Sequence, residues 1–234
     1  GKFCTDPYSK CFAMLKCARD FNLDWVTVMS DPWAEASAFG IEVDYPEDDL
    51  PVDKGGHFPD AESVSRAKKF NALEEVRCAN RITELKEFRA RAANELFIVG
   101  WVEGPVAEYV DLRGAAGASL DFLLEPDKVA LALDIIVGNA LGFISLQVEA
   151  GADCIGIGDA FSSQIGPDLY YQYAFEGEKT MVDHIHTLGA KAKLHICGNT
   201  EPIIPGMIKT GADIIDIDHL VPSLEAFAHL LGPN

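Results

Sequence analysis

Two nine-residue stretches, "GADCIGIGD" at 151–159 and "GADIIDIDH" at 211–219, are written in one grammar. Each follows a helical segment, opens on a glycine and runs straight into a short apolar strand. A glycine just past a last helical turn adopts the left-handed conformation at little cost, so the chain can reverse there and begin a strand at once. The same joint occurs again as "TLGAK" at 187–191. An αβ joint used three times predicts a repeated βα unit, and the commonest closed form of that unit is the (β/α)8 TIM barrel.

The strands agree with this. "DWVTVMS" (24–30), "LFIVGWVEG" (96–104), "DCIGIGD" (153–159), "AKLHICG" (192–198) and "DIIDIDH" (213–219) are short, β-rich and mostly continuous in apolar residues. Such runs suit a parallel sheet covered on both faces by helices. Helices are predicted over 7–22 (capped by Asp6, with Pro7 at its first position), 61–94 with a break near Asn71, 105–113, 127–149, 167–188, 200–210 and 222–231. The polar, Pro- and Gly-rich stretch 41–60 opens a predicted insertion over 41–95. About 180 residues then remain for the barrel, whereas a closed one takes roughly 250. The expected fold is therefore α/β: one domain over 1–234, a TIM barrel incomplete at its C-terminal end and part of a longer protein.

Composition excludes some partners. With 19 basic and 37 acidic residues the net charge is −18, which repels a phosphate backbone, so nucleic acid is not expected. The most apolar run, "VALALDIIVGNALGFISL", is interrupted by Asp134, Asn139 and two glycines, and is read as a buried helix with no membrane role. Six cysteines without a CxxC pair fit reduced thiols and a cytoplasmic setting.

In a parallel β/α protein, reactive groups gather where strands end. The ends here carry Asp31, Glu103, Asp159, His195 with Cys197, and Asp218 with His219. In "KLHICGNT", residues i and i+2 of a strand point to one face, about 6.5 Å apart at Cα, a spacing that lets imidazole and thiolate meet on one ion. A core cysteine beside a hydrogen-bonded histidine accounts for the same pattern. Asp31 in "MSDPW" reads equally as a helix cap, and Asp159 as a brace for its loop. "GIGDAF" holds two of the three glycines of a dinucleotide fingerprint and is rejected as one.

"HICGNT", "GIGDAFSSQIGPDLYYQY", "GWVEGPVAEYVDLRG" and "VMSDPW" together resemble the uroporphyrinogen decarboxylase superfamily, and more narrowly its methylcobalamin:coenzyme M methyltransferase branch. The likeness runs from about residue 20 to the C-terminus. It implies a (β/α)8 barrel and a Zn²⁺ site in which His195 and Cys197 are ligands. The branch's further cysteine ligand has no match, since no cysteine follows Cys197; it is expected beyond Asn234, while a degenerate, empty site is the other reading. Asp218 matches an acidic ligand.

The implied reaction moves a methyl group from a methyl-corrinoid, carried by a corrinoid protein or as free methylcobalamin, to a small thiol or similar acceptor. Asp31, Glu103, Asp159 and Tyr109 are the expected catalytic residues, and Ser162, Ser163 and Asn199 the expected cofactor contacts. Asp31 and Tyr109 match positions that serve the decarboxylase branch, which makes metal-free tetrapyrrole decarboxylation the alternative. That branch's arginine-rich N-terminal signature is absent. A non-catalytic barrel or binding subunit is a third reading, and homo-oligomerisation is left open.

Overall fold

The computed structural model describes residues 2–222 and 224–230. Five parallel strands, β1 (Trp25–Thr27), β4 (Phe97–Glu103), β5 (Cys154–Gly158), β6 (Lys191–Ile196) and β7 (Ile214–Ile217), lie in chain order in one sheet. A separate antiparallel pair, β2 (Val43–Asp44) and β3 (Val52–Asp53), decorates the first connection. The main helices are α1 (Lys2–Thr5), α2 (Pro7–Asp20), α3 (Trp33–Ala38), α4 (Ala61–Val64), α5 (Val76–Ala92), α6 (Pro105–Arg113), α7 (Ala115–Leu124), α8 (Pro126–Glu149), α9 (Gly166–Leu169), α10 (Phe175–Thr187) and α11 (Ile204–Lys209). Consecutive parallel strands joined through helices make this sheet an arc of a TIM barrel, as the repeated joint predicted.

The joint works as its sequence implies. Gly151, Gly189 and Gly211 all have positive φ directly after α8, α10 and α11. After Gly151 and Gly211, the aspartate two residues on clamps the preceding strand. Ile98 N donates to Asp153 Oδ2 at 2.8 Å, and Ala192 N donates to Asp213 Oδ2 at 2.9 Å. A cation backs each one, Arg89 on Asp153 and Lys191 on Asp213.

Strand alternation sorts the side chains of β6. Ala192, Leu194 and Ile196 are buried beneath the helices, while Lys193, His195 and Cys197 face the barrel interior and are half-buried. On β5 the inward positions are Gly156 and Gly158, over which the Trp101 ring lies. A Cβ at Gly156 would come within 2.5 Å of that ring, and one at Gly158 within 2.4 Å. The "GIG" spacing thus makes room for an indole.

Several elements differ from the sequence reading. The range 41–95 contains α5, which packs on α2 and β4 as the crossover between β1 and β4. Its inward face carries Arg77, Arg81 and Glu84, so an apolar period is hard to see there. α3 begins just past Asp31, where the sequence allows a helix cap, and α7 occupies a stretch where no helix was expected. α7 follows α6 after one residue, Gly114 at φ 79. The predicted helix at 167–188 is α9 and α10 joined by a π turn at Tyr170–Ala174, which buries both Tyr170 and Tyr173. In the predicted helix at 222–231, Leu224–Leu230 is a 3₁₀ segment, and positions 223 and 231 lie outside the described residues. By length and composition α8 could cross a membrane; a stripe from Val129 through Phe143 to Ile144 nevertheless packs into the core.

Candidate active site at the strand ends

A cavity of about 360 Å³ opens at the C-terminal ends of the strands, lined among others by Trp101, Glu103, Asp111, Phe161, His195 and Cys197. His195 and Cys197 reach it from one face of β6. Gly198, at φ 83, then turns the chain away. Cys197 is partly exposed, and the His195 side chain is 29% exposed.

His195 is held from behind. Its Nδ1 lies 3.2 Å from Asp216 Oδ2 and makes no aligned hydrogen bond among the described residues. Asp216 stands opposite His195 in the β6–β7 register and accepts Lys193 Nζ at 2.6 Å. The Lys193 ammonium sits over the rings of Trp25 (5.1 Å) and Trp101 (5.8 Å), and the Trp101 and His195 rings are 6.0 Å apart. Sequence reasoning passed over Lys193 and Asp216. Their signal was the strand period, which places Lys193 below His195 and Asp216 below Asp218 on the same faces.

The other wall is acidic. Glu103 accepts Trp101 Nε1 at 2.9 Å. Behind it Arg81 Nη1 donates to both Glu35 oxygens at 3.1 Å and to the Trp101 carbonyl at 2.8 Å. Burial, then repulsion from Glu35 and from each other's neighbourhood, raises the Glu103 and Glu108 carboxyls well above the usual range. The same causes, burial first and Glu35 next, push Asp111 up to about 8.

The structure brings Glu103, His195 and Cys197 together and separates the other expected residues from the cavity. Asp31 is 1% exposed and ion-paired with Arg77, with its Oδ1 accepting the Trp33 N–H, so its carboxylate does not face the cavity. Tyr109 is fully buried and donates to Asp121 at 3.0 Å. Asp159 is fully buried: Oδ1 accepts the Ala107 N–H at 2.6 Å. Burial lifts Asp159 to about 6.

Ser162 is buried, Ser163 donates to the Ala160 carbonyl, and Asn199 caps its own turn by accepting the Glu201 N–H. Asp218 ties two strand ends together, accepting Gly198 N at 3.0 Å and Leu220 N at 3.2 Å.

The family profile described as "Uroporphyrinogen decarboxylase (URO-D)" matches residues 1–232. The chain belongs to the uroporphyrinogen decarboxylase family. Among its relatives in this family, "Methylcobamide:CoM methyltransferase MtbA" of Methanosarcina mazei is 30% identical over 162 residues, covering 68% of this chain and 47% of the relative. The protein of the same name from Methanosarcina acetivorans is 32% identical over 162 residues, with the same coverage. A "Uroporphyrinogen decarboxylase" of Prochlorococcus marinus is 27% identical over 227 residues, 92% of this chain and 62% of the relative. The chain thus spans about half the length of the methyltransferases it matches. A solved "methyltransferase from Methanosarcina mazei" shares the fold, with a TM-score of 0.88, 24% identity, and coverage of 97% of this chain and 67% of that one.

The zinc site that the family resemblance implies would draw on His195 and Cys197. Imidazole nitrogen and thiol sulfur face one cavity, both partly accessible, and the inner ring nitrogen lacks an aligned partner. This pair suits a borderline divalent ion such as zinc. Among the described residues no group of three His, Cys, Asp or Glu side chains is placed to hold a metal.

Proposed function

We propose that this chain is the zinc-bearing part of a corrinoid methyltransferase of the uroporphyrinogen decarboxylase family, which passes a methyl group from a methyl-corrinoid to a thiol or similar acceptor. One observation carries the reading: His195 on β6 and Cys197, one residue past its end, line one cavity at the barrel mouth. His195 and Cys197 would hold zinc. When bound, zinc removes the proton of a coordinated thiol and leaves the sulfur able to attack.

This chain's own residues prepare that site. Asp216, ion-paired with Lys193, stands at the inner edge of the His195 ring and leaves the outer edge for the cavity. A carboxylate behind a ligating histidine fixes the ring and raises its basicity. Trp101 floors the cavity and Phe161 walls it, which limits water at the acceptor sulfur. Corrinoid, free or carried by a partner protein, would approach from the open mouth.

Decarboxylation without metal is less well supported, because Asp31, the carboxylate that reaction would use, is sealed against Arg77. Full-length protein should contain about one zinc per chain and transfer methyl from methylcobalamin to a thiol. Cys197→Ala should lower both by at least tenfold; a variant retaining full zinc and transfer would refute the proposal.

A further inference from the structure

A second cavity, of about 330 Å³, lies at the N-terminal end of α5 and shares no lining residue with the one at the strand ends. Val43, Tyr45, Glu75, Val76 and Arg77 line it among others. Arg77 is 8% exposed, and only its Nη2 is engaged, on Asp31. Nε and Nη1 are buried without a hydrogen-bond partner among the described residues. So is Oη of Tyr45, whose ring the guanidinium overlies at 5.0 Å. Charged donors left unused in this way are costly, and they mark a place for an acceptor.

The helix end points to the same chemistry. α5 is 17 residues long, its N-cap Glu75 makes no capping hydrogen bond, and its first turn holds no acidic residue. The first N–H groups of a helix lack intrahelical acceptors and carry a partial positive charge. Guanidinium, phenol and helix end therefore all present donors at one cavity, a combination that suits a carboxylate. Asp31 already offsets Arg77, and Glu75 stands in the wall, so a second negative charge on the ligand would be repelled. Val43 and Val76 supply an apolar wall for a hydrocarbon body.

We propose that this second cavity binds a small monocarboxylic acid, its carboxylate held by Arg77, Tyr45 and the first turn of α5 and its hydrocarbon laid against Val43 and Val76. The site stands apart from the strand-end cavity and does not depend on the methyltransferase reading.

Saturation-transfer NMR on the full-length protein, with butyrate as the probe, tests the site without any chemistry. Butyrate should bind at least tenfold more tightly than butyramide, which keeps the shape and removes the charge. Its affinity should fall at least fivefold in Arg77→Gln and at least threefold in Tyr45→Phe, which keeps the ring over the guanidinium and deletes only the hydroxyl. Should Arg77→Gln fail to fold, Tyr45→Phe and the butyramide comparison decide. No butyrate binding, equal binding of butyramide, or an affinity unchanged in either folded variant would overturn the proposal. Succinate, which puts a second carboxylate in place of the butyrate methyl, should bind at least threefold more weakly; equal or tighter binding would defeat the assignment to a monocarboxylic acid.

Discussion

The joints at 151–159 and 211–219 share their glycine, alanine and aspartate, yet their inward positions do opposite things. Gly156 and Gly158 on β5 lie beneath the Trp101 ring, and β5 is buried throughout. The corresponding residues on β7 are Asp216 and Asp218, on a strand that is half-exposed throughout. Asp216 faces His195, and Asp218 ties the end of β7 to Gly198. The frame of the repeat is thus fixed by the glycine cap and the aspartate clamp, while the inward residues are free to become packing space in one copy and electrostatic support in the other.

Making β5 resemble β7 should break this division most severely. Gly156→Asp would drive a carboxylate into the indole of Trp101, combining overpacking with an unpaired buried charge. A loss of about 3 kcal/mol or more is expected in urea unfolding, against about 1–3 for Gly156→Ala. Near-native stability of Gly156→Asp would show that Trp101 is not held where described.

The reciprocal change, Asp216→Ala, should be mild for the fold and severe for the metal. Zinc affinity is expected to fall 10–100-fold with the unfolding midpoint nearly unchanged. If affinity is unaffected, Asp216 does not support His195.

The clamps shared by both joints give the smallest effect. Burial raises Asp213, but hydrogen bonds from Lys191, Ala192 N–H and His186 outweigh it and hold the carboxyl down at about 2. Because the folded value lies below the unfolded one, this stabilisation is present above roughly pH 4 and is lost as pH falls toward 2. Asp213→Asn should cost about 1 kcal/mol at neutral pH after solvent screening, and less at pH 2–3. A cost that does not change with pH would rule out the charge as the cause.

The repeated joint, the parallel order of strands and the common face of His195 and Cys197 were legible in the sequence because each depends on local periods and caps. What could not be read depends on partners distant in the chain. Asp31 looks like a strand-end acid until Arg77, 46 residues on, is seen to neutralise it. Arg81 and Glu84 look solvated until α5 turns them inward against Glu35 and Lys10. Tyr109 and Asp159 sit in family motifs but point into packing, toward Asp121 and Glu178. Asp218 is matched to the acidic ligand that the family resemblance implies, whereas the β6–β7 register sets Asp216 beside His195.

Cobalt(II) substitution of the full-length protein tests the central claim most directly. Ligation by Cys197 predicts a sulfur-to-cobalt charge-transfer band that weakens in Cys197→Ser and a ligand-field spectrum that shifts in His195→Gln. Spectra identical to wild type in both variants would mean that neither side chain touches the metal.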